Sequence, residues 1–305
     1  MRIQNLLKKY NRQKCICKEY GFWFAIKLFQ LREKKDSHDF LRKYIDKYYG
    51  KFIEDFSKNY ELNYGNKKTK ASRIIWSLWW QGEGNLPSVV ERSRKSLYNN
   101  CGDYQVILIS KNNVDQYVDI PNYILEKMES GNISLAHLSD YIRVCILEKY
   151  GGIWLDATVY LTNRVPNEYM EYDFLSRHFN DFSGRFVSNG KWSTYYLVAG
   201  KTNTMLFSFL HEFFDLYWKQ HDTIMTYLLF DYMIDAFYRW NVDFKRVVDS
   251  MPNNNENMMF VSQHFNEKFS IDEWNKICET TIFQKLSWKK NIEDDPDSYF
   301  NVICK

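Results

Sequence analysis

The pattern of apolar and polar positions along the chain predicts a first region of helices and a second region in which strands alternate with helices. Up to about residue 70, apolar residues recur every three to four positions without strand-like alternation, which predicts amphipathic helices. The longest repeat comprises Phe40, Leu41, Tyr44, Ile45, Tyr48, Tyr49, Phe52, Ile53 and Phe56. A polar, glycine-containing stretch at residues 63–70 follows and is typical of a linker. We therefore expect a basic helical arm over residues 1–69 and one larger domain over residues 70–305.

The second region begins with the pattern of a strand, a helix and a strand. An apolar, tryptophan-rich run at residues 74–80 predicts a buried strand, and Pro87 is well placed to start a helix that reaches about residue 99. A second strand is predicted over residues 104–109. The later pattern predicts a strand at residues 193–199 and apolar helices at residues 204–218 and 223–240. This alternation predicts an α/β fold in which a Rossmann-like sheet is flanked by helices.

Three charged residues stand out in the most apolar part of this region. The helix that begins near residue 135 is apolar nearly all round, which predicts an interior position, yet it carries Asp140 and Arg143 three positions apart. Gly151-Gly152 then ends the helix, and a short buried strand leads to Asp156. Ligands of open α/β sheets bind at the carboxyl ends of the strands. The pattern therefore predicts that these three side chains meet at a binding site, although Asp140 and Arg143 could also form an internal ion pair.

The order of these residues resembles a known signature. Ser139-Asp140-x-x-Arg143 followed by Gly151-Gly152-Ile153-Trp154-Leu155-Asp156 is similar to the donor site of glycosyltransferase family 32, and within it to the bacterial capsular polysaccharide synthesis proteins. The likeness extends over about residues 73–288. It implies a GT-A-type nucleotide-sugar-binding fold. It also implies a retaining transferase that moves a hexose, galactose or glucose, from a UDP-sugar to an undecaprenyl-linked capsular or exopolysaccharide repeat unit, with an α-linkage.

The resemblance assigns roles to individual side chains. Asp140 and Arg143 would contact the donor sugar, and Asp156 would contact the ribose and any metal ion. The helix pattern, and not the resemblance, points to Asp231: on an otherwise apolar helix that also carries Asp235, it is the expected contact to the acceptor or the transferred sugar, unless that helix face is simply open to water. Asp140, Arg143, Asp156 and Asp231 are thus the candidate catalytic residues. The other candidate donor-binding residues are Trp76, Trp79, Gln81, Thr158, Lys285, Ser287, Trp288 and Lys289.

Some of these side chains have an equally ordinary structural explanation. The tryptophans of residues 76–80 are typical of a strand in the core, although the resemblance implies that Trp79 stacks on uracil. Ser287-Trp288 resembles an element that approaches the metal and the glycosidic oxygen. The flanking Lys285 and Lys289 would either neutralise the diphosphate or be solvated.

The acidic motif departs from the Asp-x-Asp of many relatives. It reads Asp156-Ala157-Thr158, as in the capsular branch. A threonine hydroxyl is a weaker metal ligand than a carboxylate, which leaves the dependence on Mn²⁺ or Mg²⁺ open. The candidate metal ligands are Asp156, Thr158 and Ser287, and the two nearby lysines could compensate for a weakly held metal.

The charge of the chain is concentrated at its start. Residues 1–35 contain ten Lys or Arg and two Glu, a net charge of +8, so the remainder carries −5 of the total of +3. Phe22, Trp23, Ile26 and Phe29 lie among these cations in the pattern of an interfacial helix. We expect residues 1–60 either to attach to the inner face of the bacterial membrane or to pack on the body of a cytoplasmic protein. No stretch is long and apolar enough to cross a bilayer, and the six cysteines are scattered, as in a reducing compartment.

Other functions have less support in the sequence. The acidic body and the absence of an RNA-module motif argue against nucleic-acid binding. A sugar-phosphate transferase of capsule synthesis remains an alternative, as does a non-catalytic glycan-binding or assembly protein, which the Asp-Ala-Thr departure would suit.

Overall fold

A five-stranded sheet forms the centre of the molecule. The computed structural model describes residues 12–31, 36–179 and 185–304. The sheet consists of β1 (Ile74–Leu78), β2 (Gln105–Ile109), β3 (Gly152–Leu155), β5 (Leu175–Ser176) and β6 (Tyr196–Ala199). Its order is β2-β1-β3-β6-β5, in which β2, β1 and β3 are parallel to one another. β6 pairs antiparallel with β3, and β5 pairs antiparallel with β6. A second sheet pairs β4 (Val159–Leu161) with β7 (Phe283–Lys285) in antiparallel fashion.

Helices flank the sheet. They are α1 (Phe22–Gln30), α2 (Asp36–Tyr64), α3 (Ser88–Asn100), α4 (Asn122–Glu129), α5 (Leu135–Lys149), α6 (Met205–Gln220), α7 (Leu229–Trp240), α8 (Val242–Asp249), α9 (Phe260–Gln263), α10 (Ile271–Cys278) and α11 (Tyr299–Ile303), and residues 12–20 are also helical. The predicted α/β class with a flanked, Rossmann-like sheet is confirmed, and the arrangement is consistent with a GT-A-like fold. Among the described residues, no helix combines the length and the apolar character needed to cross a membrane.

Two predicted elements are shorter than expected. The helix predicted from residue 223 begins only at Leu229, and in the segment before it the backbone N–H of Met225 donates to the hydroxyl of Tyr217. The strand predicted from Ser193 begins at Tyr196, because the Ser193 N–H donates to the side chain of Ser176. In both places a side-chain hydroxyl accepts a backbone N–H, a contact that the apolar pattern does not reveal.

The glycine pair before β3 is required by close packing. Gly151 and Gly152 have φ values of +64° and +97°, in the left-handed region that favours glycine. A Cβ atom on Gly151 would lie 2.3 Å from the Cβ of Ala71, and one on Gly152 would lie 2.6 Å from the carbonyl oxygen of Ile74. The pair therefore allows β3 to pair closely beside β1, which fixes the strand that ends at Asp156.

The helices of the first 69 residues pack on the rest of the chain. Phe52 and Phe56 of α2 contact Phe209 of α6, and Phe56 also contacts Phe237 of α7. The helical residues 12–20 are held at Glu19, which accepts hydrogen bonds from His221 and from the N–H of Asp222. These helices share one apolar core with the sheet. The domain boundary near residue 70 stays a prediction.

Candidate active site

The carboxyl ends of three parallel strands meet at one edge of the sheet. Trp79 follows β1, Ser110 follows β2 and Asp156 follows β3. Two pockets of about 290 and 310 Å³ open at this edge. They adjoin, because Trp79 and Ala157 line both. Together they have the size of a small-molecule site, which is about 300–1,000 Å³.

The first pocket, here the β1–β2 pocket, has an apolar wall and a polar part that includes the ion pair of Arg94 with Glu83. Leu86, Val90 and Leu108 form part of its wall, and Ser110 and Asn113 lie at the end of β2. The side chain of Asn113 is held by hydrogen bonds to the backbone of the neighbouring strand end. Its Oδ1 accepts the N–H of Ser110 at 2.8 Å, and its Nδ2 donates to the carbonyl of Leu108 at 2.9 Å. A pocket that combines an apolar wall with fixed polar atoms suits a flat heterocycle that carries hydrogen-bonding edges.

The second pocket, here the Asp156 pocket, brings together most of the residues predicted from the sequence. They lie on α5, α7 and β7 or directly after β1, β3 and β7. These elements come from distant parts of the chain. Its lining includes Trp79, Asp140, Arg143, Asp156, Thr158, Asp231, Lys285 and Trp288.

Asp156 lies at the centre of the charged cluster. Its Oδ1 accepts hydrogen bonds from Arg143 at 3.2 Å and from the indole N–H of Trp154 at 3.0 Å, and its Oδ2 accepts one from Lys285 at 3.0 Å. Burial alone would raise the pKa of this carboxyl, but the Lys285 and Arg143 cations and the Trp154 hydrogen bond outweigh it and lower the pKa to about 2. Asp156 is therefore ionised at neutral pH.

Arg143 links the three charged positions of the predicted signature. Its guanidinium lies 3.5 Å from Asp140 and 3.2 Å from Asp156, and it also donates to the carbonyl of Thr194. The same group is stacked over the rings of Trp154 and Phe230, at 5.0 and 5.3 Å from the ring centres. The side chain is only 6% exposed. Arg143 thus both braces α5 against β3 and presents a fixed cation at the edge of the pocket.

Two carboxyls of the pocket have raised pKa values. Burial raises the pKa of Asp140 to about 7, with Arg143 opposing the shift and Asp156 and Asp231 adding to it. Burial also raises the pKa of Asp231 to about 6, against the hydrogen bond that Trp192 donates to it at 3.2 Å. Carboxyls that are poorly stabilised as anions near neutral pH are common at functional sites, where a ligand completes their hydrogen bonding.

The stability of Asp140→Asn is expected to depend on pH. Aspartate in an unfolded chain has a pKa of about 3.9, below the value of about 7 for buried Asp140. Protonation of Asp140 therefore favours the folded state at low pH, and this contribution is lost as the pH rises to about 7. Asparagine does not titrate, so the free energy of unfolding of the variant relative to wild type should rise by on the order of 4 kcal/mol between about pH 4 and pH 8.

Urea unfolding at both pH values measures this change. Asp243→Asn, an exposed position on α8, serves as the control and should show no such trend. A relative stability of Asp140→Asn that does not change with pH would contradict the prediction.

Four predicted donor-binding residues do not line either pocket. Trp76 is 1% exposed and donates its indole N–H to the carbonyl of Gly151 at 2.9 Å, so it supports the sheet and offers no open face to a base. Its assignment as a donor-binding residue is not supported by this position, because Trp76 precedes the carboxyl end of β1, where Trp79 lies. Gln81 and Lys289 are exposed and Ser287 is half-buried, all outside the lining.

Several lining residues were not anticipated. Tyr227 and Thr194 line the Asp156 pocket, and Ser110 and Asn113 line the β1–β2 pocket. Ser110 and Asn113 could have been found from the sequence, because they are polar residues that closely follow the predicted strand at 104–109. Thr194 contributes a backbone carbonyl, which any residue type could supply, so no sequence signal existed for it.

Comparison with known proteins agrees with the geometry. A family model described as capsular polysaccharide synthesis protein matches residues 22–303. The O-glycosyltransferase braB of Annulohypoxylon truncatum is 32% identical over 106 residues, which cover 32% of this chain and 25% of braB. The O-glycosyltransferase PaGT of Phomopsis amygdali is 24% identical over 110 residues, which cover 33% of this chain and 27% of PaGT. The matched part is thus about a quarter of the length of these two relatives. Since the family match takes in nearly the whole chain, the protein belongs to the capsular polysaccharide synthesis protein family.

Proposed function

We propose that the protein is a glycosyltransferase that moves a hexose, galactose or glucose, from a UDP-sugar to a lipid-linked capsular or exopolysaccharide repeat unit. The observation that carries the proposal is the meeting of Asp140, Arg143 and Asp156 in a pocket that adjoins the β1–β2 pocket, which has an apolar wall and fixed polar atoms. Two adjoining pockets of this kind suit a ligand with a flat base at one end and a charged, hydroxyl-rich part at the other. The two O-glycosyltransferase relatives support the same reaction class.

The proposed donor would lie across both pockets. The base would occupy the β1–β2 pocket beside Trp79, and the diphosphate would lie near Arg143 and Lys285, the two cations that contact Asp156. The donor sugar would lie against Asp140. Asp231, whose helix α7 forms another wall, would contact the acceptor or the transferred sugar.

The proposed reaction retains the anomeric configuration and forms an α-linkage. The acceptor hydroxyl attacks C1 of the sugar from the side on which the diphosphate leaves, and its proton passes to the departing phosphate. Such a front-face route needs no general base on the opposite face of the sugar. Preorganised cations beside the leaving group stabilise the charge that develops there.

Binding of UDP and turnover of UDP-sugars test the proposal. Isothermal titration of the full chain with UDP, with and without Mn²⁺, should show binding, and a panel of UDP-sugars should include one whose hydrolysis or transfer releases UDP. Mass spectrometry of the product should show a gain of one hexose without phosphate. A product that keeps a phosphate would indicate a sugar-phosphate transferase, and glycan binding without any affinity for UDP would indicate a non-catalytic protein.

Trp79→Ala is expected to weaken UDP binding by about 5- to 150-fold, because stacking of a base on an aromatic ring is worth about 1–3 kcal/mol. The indole N–H of Trp79 is buried and has no acceptor among the described residues, so a ligand can supply one. Titration with UDP measures the change. Trp23→Ala, at an exposed tryptophan of α1, is the control and should bind UDP as wild type does. Equal affinity of wild type and Trp79→Ala would remove Trp79 from the site.

We further propose that α1 contacts the anionic inner face of the bacterial membrane, where the lipid-linked acceptor would be found. Phe22, Trp23 and Phe29 are 61, 79 and 66% exposed, whereas Phe24 on the other face of the helix is buried. Lys27 is exposed on the same helix. Arg32, Lys34 and Lys35, which the sequence pattern groups with this helix, lie outside the described residues. Exposed aromatic rings beside lysines match the apolar and anionic layers of a bilayer surface.

The double variant Phe22→Ser/Trp23→Ser is expected to lower binding to vesicles of phosphatidylglycerol and phosphatidylcholine by about tenfold or more, because each buried aromatic side chain contributes about 1.5–3 kcal/mol. Flotation of the full chain with these vesicles measures the bound fraction. Val242→Ser/Ile271→Ser, which replaces two exposed apolar residues on other helices, is the matched control. Equal flotation of wild type and the α1 variant would contradict the membrane proposal and would leave the proposed reaction unaffected.

A further inference from the structure

The side chain of Lys285 occupies the gap between Asp156 and Thr158. Its Nζ atom lies 3.0 Å from Oδ2 of Asp156 and 2.7 Å from Oγ1 of Thr158. These are the two side chains at which the Asp-x-Asp pattern would place a metal ion. We propose that the Lys285 ammonium takes the place of the divalent cation, so that the donor binds and the diphosphate leaves without a metal ion. This inference rests on the proposed function and concerns the charge that balances the leaving group.

The oxygen atoms at this point do not fit a divalent cation. Oδ1 of Asp156 already accepts two hydrogen bonds, and Oδ2 accepts one from Lys285. Thr158 offers a neutral hydroxyl, and Mn²⁺ and Mg²⁺ prefer several oxygen ligands that include carboxylates. Among the residues that the structure describes, no three His, Cys, Asp or Glu side chains are grouped as metal ligands. A metal ion between Asp156 and Thr158 would also meet the positive charge of Lys285 at close range.

The second sheet fixes the position of Lys285. In the antiparallel pair of β4 and β7, Lys285 is opposite Val159, the residue after Thr158. The N–H of Leu286 donates to the carbonyl of Thr158 at 2.8 Å. The ammonium also lies 5.2 Å from the centre of the Tyr195 ring, and the side chain is 19% exposed. Backbone pairing thus fixes where the side chain starts, and the contacts with Asp156 and Thr158 hold the ammonium before any ligand arrives, which is the condition for effective electrostatic stabilisation.

Lys285 keeps one donor available for a ligand. An ammonium group has three N–H bonds, and the described residues accept two of them, at Asp156 and Thr158. The third can donate to a phosphate oxygen in the Asp156 pocket, which Lys285 lines. In the transfer step the bond between C1 and the phosphate oxygen breaks, its electron pair stays on the diphosphate, and the acceptor oxygen bonds to C1 while its proton passes to the diphosphate. Lys285 donates to the phosphate as this charge grows, with Arg143 as the second cation.

Titration of the full chain with UDP in the presence of EDTA tests the inference. UDP should bind in EDTA, and addition of Mn²⁺ or Mg²⁺ should change the affinity by less than about threefold, since no site for the metal has to be filled. Binding that occurs only after addition of metal would overturn the inference and leave the proposed function standing. An absence of UDP binding under both conditions would overturn the proposed function and this inference with it.

Variants at Lys285 test the role of the ammonium directly. Lys285→Met should lower the affinity for UDP by about 10- to 100-fold, the loss expected for a hydrogen bond to a charged group, and should change the affinity for UMP much less, because UMP lacks the second phosphate. Lys285→Arg should recover part of the UDP affinity, because it restores the charge. Lys276→Met, at an exposed lysine of α10, is the matched control and should bind both nucleotides as wild type does.

The comparison of UDP with UMP also separates binding from folding. If Lys285→Met is only misfolded, the affinities for UDP and UMP fall together, and thermal unfolding shows the damage. A folded Lys285→Met protein that discriminates between UDP and UMP as wild type does would overturn the inference.

Discussion

Asp156→Asn is expected to lower the rate of sugar transfer by about 10²–10³-fold, the loss typical of a preorganised electrostatic group. Asparagine has the shape of aspartate, but its amide NH₂ is a donor and would face either Lys285 or the Arg143 and Trp154 donors that Asp156 now satisfies. At least one of these cations would then shift away from the phosphates. Since the pKa of Asp156 is lowered to about 2, the charge that the substitution removes is present at every pH at which the protein would be assayed.

Release of UDP from the UDP-sugar found in the panel measures this loss, with thermal unfolding to confirm that the variant is folded. Asp103→Asn, at an exposed carboxylate paired with Arg164, is the control and should transfer sugar at the wild-type rate. If folded Asp156→Asn transferred sugar as fast as wild type, the proposed active site would be wrong.

Arg143→Met is expected to lower the free energy of unfolding by about 3–5 kcal/mol, as for the loss of one partner of a buried ion pair. Methionine can fill the space between Trp154 and Phe230, but it leaves Asp140 and Asp156 without the cation between them. Asp156 would keep only Lys285 as a charged partner. The loss should be smaller at low pH, where the pKa of about 7 lets Asp140 take up a proton.

Urea unfolding provides the measurement, and the chain contains a matched control. Arg246 and Asp243 of α8 form a pair with the same spacing of three residues, but their side chains are 74 and 64% exposed. Arg246→Met should change the stability by less than about 1 kcal/mol, as for surface pairs in general. Equal effects of the two substitutions would mean that burial of Arg143 does not set its contribution.

The fold and the centre of the candidate site follow from local sequence patterns. Apolar periodicity predicts the α/β class, and the order of helix, glycine pair and strand brings Asp140, Arg143 and Asp156 together, because all three belong to one continuous stretch. Trp76 and Trp79 lie in the same apolar run, so the sequence pattern alone does not show which of them is buried in the core. Only the point at which β1 ends decides which ring faces the core and which faces the pockets.

The remaining features depend on pairings between distant residues. The position of Lys285 against Thr158 is set by the pairing of β4 with β7, and strands of three residues leave almost no periodic pattern. Asp231 and Asp235 lie on one face of α7, and in the sequence both are carboxylates among apolar neighbours, so the pattern does not tell their roles apart. The structure separates them, since Asp235 is held by Arg42 and Arg239 whereas Asp231 lines the Asp156 pocket.

The contact of Arg42 with Asp235 ties the start of the chain to the wall of the pocket. Arg42 of α2 donates two hydrogen bonds of 2.9 Å to Asp235, and Asp46, one turn further along α2, pairs with Arg239. Asp231 lies one turn before Asp235 on the same helix, so its location depends on α2, although none of the described α2 side chains lines the pocket. A change of sequence or of register in this helix would thus be transmitted to the wall of the Asp156 pocket, which constrains how freely the helix can evolve.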